Sequence, residues 1–333
     1  MAQPTPRSPA PDAGPQRADA GRARALDDLL YIAAPGLIWG ASFLFIAEGL
    51  RSVAPNGLTF ARILVGCLTL SLFPAVRRPL PRRGWAGAAL LGVIWLAFPL
   101  TMFPYAEQRI SSALAGMLNG TTPLFAAAVA AVLARRAPSR GVGVGLAVGF
   151  AGMTAVAWPN LRAGGTDLVG ALLVIAASVS YGLALNLARP LQIAHGALPV
   201  LWRAQLVALV LTAPLGLPEL AAARWTPGPL LSVLALGALG TGVAFVLTTI
   251  AAGRLGATRA SSVTFLMPPV ALALGVAVRG ESVAPLSIAG GAVAIAGAWL
   301  IRRAQQRPAP VDAGLALAPQ PVPELARDDV RIR

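Results

Sequence analysis

Two arginines, Arg62 and Arg203, fall inside long apolar runs of the chain. A guanidinium inside a membrane is costly and is read first as functional. Such a group would hold a carboxylate or a phosphate. Both lie only five to seven residues into their runs, so reaching the interface on a long stem is the competing reading. Carboxylates are few. Glu48 ends the first apolar run and Glu107 follows the third. Each reads as a solvated interfacial charge, or as a group whose titration couples movement to protons. Trp39 lies mid-run beside Gly40 and Ser42, which makes Trp39 and Ser42 candidates for a cavity wall. Tyr105 beside Pro104 is a candidate gate, and Tyr181 sits deeper than an interfacial aromatic should. At helical spacing, Ala115, Asn119, Thr122 and Ala126 share one face, and Ala260, Thr264, Met267 and Ala271 share another. A small, polar stripe in a membrane helix faces protein or water, to bind a substrate or to glue helices together.

What is missing narrows the chemistry. All 27 basic residues are Arg, and there is one His and one Cys. Without Lys there is no phosphate-binding P-loop lysine and no Schiff base. His195 and Cys67 alone cannot build a zinc site or a disulfide framework within this chain. No cofactor or metal is expected. His195 falls in a connection and is expected to be exposed. The net charge is +14, but the arginines sit in short clusters between apolar runs and form no basic face. They read as signals beside anionic lipid headgroups rather than as a nucleic-acid surface.

The elements that position these residues follow from composition. Of 333 residues, 56% are apolar and only 12% are charged, with mean hydropathy +0.70. That is too little polar surface for a globule in water, where about 25% charged is usual. Ten runs approach the ~20 residues that cross a bilayer: about 29–49, 55–76, 85–106, 111–134, 141–159, 168–188, 198–217, 230–253, 257–279 and 285–301. They are too long and uniform for barrel strands. Residues 1–28 and 302–333 read as disordered tails. Arg clusters at 77–83, 135–140, 254–259 and 302–307 all fall on the tails' side, while the other side carries single arginines. Both termini are therefore expected in the cytoplasm.

The two halves repeat. An offset of 145 aligns Arg109 with Arg254, Pro123 with Pro268, Gly145 with Gly290 and Gly152 with Gly297. The first spans need 142, as for Trp39-Gly40 and Tyr181-Gly182. Five spans per repeat is an odd number, so the second repeat would be inverted, as in many secondary transporters. Pro123 and Pro268 are expected to break their helices. The Gly residues of spans five and ten read as close helix packing within the bundle or across a homodimer.

Trp39 through Phe43, Pro55 through Arg62, Ala106-Ser111-Ala115 and Thr121 through Phe125, with the Gly-rich fifth span, resemble the drug/metabolite transporter superfamily in its ten-span EamA-type branch. The second half matches it at Pro268, Glu281 and Gly290 through Gly297. The resemblance covers most of residues 29–301. It implies two five-helix repeats, 29–159 and 168–301, around a central cavity. It also implies export of amino acids, related small metabolites or drugs across a bacterial inner membrane by alternating access. The family's usual Glu is Arg136 here, so no role carries over to that position. Expected partners are a small-molecule substrate and lipid, and no enzymatic activity is expected. A channel, an integral membrane enzyme and a scaffold are the rival readings.

Overall fold

The computed structural model describes residues 15–163, 165–255 and 260–306. The described residues are helical throughout, joined by short turns. The helices are α1 (Pro15–Gly49), α2 (Pro55–Ser71), α3 (Arg82–Leu91), α4 (Phe98–Glu107), α5 (Ser112–Asn119), α6 (Thr122–Leu133) and α7 (Arg140–Ala163). They continue as α8 (Gly165–His195), α9 (Ala197–Ala221), α10 (Pro227–Ala235), α11 (Ala244–Leu255), α12 (Val263–Arg279) and α13 (Pro285–Gln306). Proline opens α2, α10 and α13, where a missing N–H costs nothing and the fixed φ suits the first turn.

Eight helical rods are long and apolar enough to cross a membrane. Two more, α2 and α12, have 17 residues each. Large apolar side chains point outward all round the bundle, among them Leu72, Ile193, Val132 and Val210, each more than 70% exposed. In water that surface would aggregate; against lipid it costs nothing.

Helix α1 begins at Pro15, well before the expected boundary at residue 29. The segment between carries mostly Ala, Arg, Leu and Asp, of which the first three rank among the best helix formers, and after Pro15 no proline occurs before Pro35. At the other end α13 continues to Gln306. The remainders of both tails, and Arg259, lie outside the described residues.

Three rods are irregular. Gly92–Ala97 joins α3 to α4 in a wide, π-type winding, and Leu236–Val243 does the same between α10 and α11. The two segments lie one repeat apart, with Gly92 and Gly237 separated by the same 145 residues. The third irregular rod is cut between α5 and α6 at Gly120 and Thr121. There Pro123 opens a new helix, and Thr122 Oγ1 donates to Asn119 O at 2.7 Å.

The matching break expected at Pro268 is absent, because α12 runs unbroken through Pro268 and Pro269. The chain turns earlier, at Ser261 and Ser262, where Thr264 Oγ1 donates to Ser261 O at 2.9 Å. Pro268 does other work. Its ring fills the space where a Gly120 side chain would project, so the break in one half seats the proline of the other.

Packing follows the repeat. Helix α2 lies on the π-type segment 236–243, where Gly237 admits Val65 and the Arg62 carbonyl. Helix α9 lies on the segment 92–97 in the same way, where Gly92 admits Val207 and the Ala204 carbonyl. Helices α7 and α13 cross at backbone contact through Gly145, Gly149, Gly152, Gly290 and Gly297, since absent side chains let the axes approach.

Candidate functional site

The π-type winding around Thr241 organises the centre of the bundle. A wide turn releases backbone carbonyls from the normal ladder, a device common at functional sites. Here neighbours take them up. Trp39 Nε1 donates to Gly240 O at 2.8 Å and Gln205 Nε2 donates to Thr241 O at 2.7 Å. The Thr241 hydroxyl donates to Leu236 O at 3.2 Å and accepts from Arg62 Nε at 2.8 Å. Gly240 leaves room beside Ser42 Oγ and Arg62 Nη2.

Arg62 is 6% exposed. Its Nη1 and Nη2 carry no hydrogen bond to any described residue, and it forms no ion pair among them. Tyr181 and Glu107 lie within electrostatic reach. Glu107 is the last residue of α4, and both its carboxylate oxygens are buried without a hydrogen-bond partner. Aromatic rings wall the group. Trp39 meets Phe245 edge-on at 5.3 Å, Phe245 meets Trp95 at 5.6 Å, and Phe103 lies 6.0 Å from Tyr181.

The structure thus gathers Trp39, Ser42, Arg62 and Tyr181, with Glu107 at their edge. Asn119 and Thr122 are buried too, but on the helix break. The Thr122 hydroxyl serves Asn119's carbonyl and amide oxygens. Thr264, the second residue of α12, likewise donates its hydroxyl three residues back, to Ser261 O.

Arg203 does not join the centre. Its Nη1 donates to Val76 O and Pro199 O at 3.1 Å each, and Nη2 donates to Arg78 O at 2.9 Å. Trp85 and Trp202 flank it, each ring centroid 5.7 Å from its guanidinium carbon. The side chain leans back towards the start of its own helix, as helical geometry directs, and clamps the 74–77 turn. It is not placed to touch a substrate. His195, expected exposed, is half-buried at the end of α8 against Gly84.

At the end of the bundle carrying Glu107 the other expected polar residues are engaged. Tyr105 Oη accepts from Asn56 Nδ2 at 2.8 Å, and Asn56 also donates to Glu219 Oε1 at 2.7 Å. The Gly57 N–H donates to Glu219 Oε2 at 2.8 Å. Glu48 pairs with Arg51 at 3.0 Å and with Arg279 at 2.6 Å. Arg279 also pairs with Glu281 at 3.2 Å.

Glu281 in turn accepts from the Ser112 and Ala113 N–H groups at the start of α5, at 3.1 and 2.9 Å. A carboxylate there satisfies orphan donors and opposes the helix dipole. Gly280, at φ 64°, ends α12 in a left-handed turn and swings Glu281 onto α5. A mostly apolar groove of about 240 Å³ opens beside this end, lined by Phe98, Met102, Leu211 and Leu215 together with Asn56, Thr59, Thr101 and Thr212, and not by Arg62.

Sequence reasoning missed Thr241, Gln205, Asn56 and Glu219. Thr241 carried a signal in the three glycines at 237, 240 and 242, which loosen a helical run. Glu219 carried one as a carboxylate near the end of an apolar run.

The EamA-like transporter family model matches residues 28–158 and 168–303. A probable terminal-alkyne amino-acid exporter of Streptantibioticus cattleyicolor is 29% identical over 272 residues, which are 80% of this chain and 90% of that protein. The inner membrane transporter YedA of Escherichia coli K12 is 27% identical over 262 residues, covering 75% and 82%. The transporter YdfC of Bacillus subtilis is 24% identical over 270 residues, covering 78% and 86%. One crystal structure shares the fold at 19% identity with a TM-score of 0.55, over 86% of this chain and 99% of the other.

Proposed function

Because the chain belongs to the EamA-like transporter family, we propose that it is a secondary transporter exporting amino acids or related small metabolites. It works across the bacterial inner membrane by alternating access. All ten helical rods cross the membrane in this reading, α2 and α12 included, since 17 residues is the lower limit for a span. The halves are inverted repeats, and the Arg clusters put both termini in the cytoplasm.

The observation that carries the reading is the crossed packing of the halves. Each repeat's second rod grips the π-type segment of the other, and one of these two contacts holds an unpaired arginine. An intramembrane arginine costs about 3 kcal/mol by insertion scales. A membrane hydrogen bond such as that from Arg62 Nε to Thr241 returns about 0.6 kcal/mol. The fold therefore does not recover the cost of Arg62, and an anionic group of the cargo does. Trp39, Ser42 and Tyr181 line the cargo's surroundings, with Asn119, Thr122 and Thr264 at the flexing points of two rods. Tyr105 stands at the gate. Of the two glutamates expected as coupling groups, Glu107 is unpaired and fits the role, whereas Glu48 is taken up by arginines.

The test is flux through the full-length protein in proteoliposomes, driven by a preset proton gradient. Saturable, gradient-dependent amino-acid transport that fails in Arg62→Ala supports the proposal. Unsaturable flux at channel rates favours a pore, and unchanged transport in Arg62→Ala removes the binding role of Arg62.

A further inference from the structure

We propose that Arg62 and Glu107 together form a two-point receptor for a zwitterion, Arg62 taking the α-carboxylate and Glu107 the ammonium of an amino acid. The inference rests on the amino-acid export reading above and specifies its site.

Helices α2 and α4 run antiparallel, since Asn56 in the first turn of one bonds Tyr105 in the last turn of the other. Helical side chains lean towards the N-terminus of their own helix. Arg62, seven residues into α2, therefore leans towards the end of the bundle carrying Glu107. Glu107, at the end of α4, leans inward towards Arg62. The charged neighbours of Glu107 are Glu281, Arg279 and Arg62; Arg279 and Glu281 pair with each other, and neither arginine forms an ion pair with Glu107.

Each is also kept free. Thr241 holds Arg62 by Nε alone, which leaves the Nη1–Nη2 fork for a bidentate carboxylate. The other three glutamates at this end are occupied: Glu48 by Arg51 and Arg279, Glu281 by the start of α5 and Arg279, and Glu219 by Asn56 and Gly57. Glu107 alone keeps both oxygens unbonded.

A phosphate or a simple acid would meet repulsion from Glu107 after reaching Arg62. A simple amine would meet the reverse. Only a ligand carrying both charges a few ångströms apart satisfies the pair. Phe103 lies one turn before Glu107 on the same helix face, beside Tyr181 and edge-on to Phe43 at 5.6 Å. An apolar side chain of the amino acid fits against those rings.

The experiment uses the full chain in proteoliposomes and the twenty radiolabelled proteinogenic L-amino acids. Binding of the best-transported one to the purified full chain, which needs neither coupling nor turnover, is then competed with its own amide and its own 2-hydroxy acid. For the wild type both analogues compete about tenfold or more worse than the amino acid. Glu107→Gln loses the discrimination against the hydroxy acid, and Arg62→Gln loses the discrimination against the amide. A wild type that moves an amino acid but accepts either analogue equally well overturns the receptor while leaving export intact. So does a Glu107→Gln variant with unchanged discrimination. If none of the twenty is moved, the amino-acid reading itself fails. Glu107→Gln breaks no hydrogen bond of the fold; should it nevertheless fail to fold, the wild-type competition decides alone.

Discussion

The two π-type segments occupy equivalent places in the two halves and differ in what they hold. At 92–97 the wide turn is apolar. Leu96 and the small Ala204 of α9 are both buried in one apolar cluster. Ser180 Oγ donates to the released Ile94 carbonyl at 2.6 Å. At 236–243 the same winding puts Thr241 where the first copy has Leu96, and Arg62 stands where the second half has Ala204. The 62–204 match follows from the shared glycine contacts, Gly237 with the Arg62 carbonyl and Gly92 with the Ala204 carbonyl. One duplicated backbone device thus closes a greasy seam in one place and aims a cation in the other.

The largest effect expected from disturbing this comparison is in Arg62→Ala. Transport falls to background, while thermal stability measured in detergent stays level or rises, because an intramembrane charge costing about 3 kcal/mol is removed. A loss of stability with transport retained would make Arg62 a structural residue. The other wide turn behaves oppositely: Leu96→Ala, at the place of Thr241, lowers stability by about 2 kcal/mol or more through a buried cavity, and transport per folded molecule is retained. Chemical denaturation beside flux measurement separates the two.

A smaller effect follows in Thr241→Val, which removes the anchor of Arg62 Nε. KM rises about tenfold, or about 1.4 kcal/mol, with kcat less affected, and Thr241→Ser restores it. The smallest effect belongs to the opposite end of the polarity scale. Glu48→Gln breaks partly exposed ion pairs, each worth under about 1 kcal/mol. The melting temperature barely moves, and a large drop would show that the Glu48–Arg279–Glu281 chain holds the helices more firmly than its exposure implies.

Much of this was legible beforehand, for particular reasons. Apolar runs announce membrane helices because the backbone in lipid has few options. Arg62 stood out because it interrupts such a run. Pro123 marked a helix break because Gly120 stands just before it in a polar Asn-Gly-Thr-Thr stretch. Pro268 looked the same and was not a break: the chain turns earlier, at Ser261 and Ser262, and α12 runs on through both prolines. Arg62 and Arg203 were indistinguishable by depth and type. Only the position of three carbonyls, at Val76, Arg78 and Pro199, assigned Arg203 to clamping a turn. Glu48 and Glu107 looked alike in the same way, and the ion pairs that Glu48 makes with Arg51 and Arg279, where Glu107 makes none, separated them.

The sequence by itself determined the helices, their approximate ends, the repeat and the membrane setting. These depend on composition and on spacing along one chain. The tertiary structure decided which charges are left unpaired. That depends on residues 169 to 231 positions apart, such as Ser112 with Glu281 and Glu48 with Arg279. An unpaired charge is defined by what surrounds it in space, and periodicity along the chain carries no record of that.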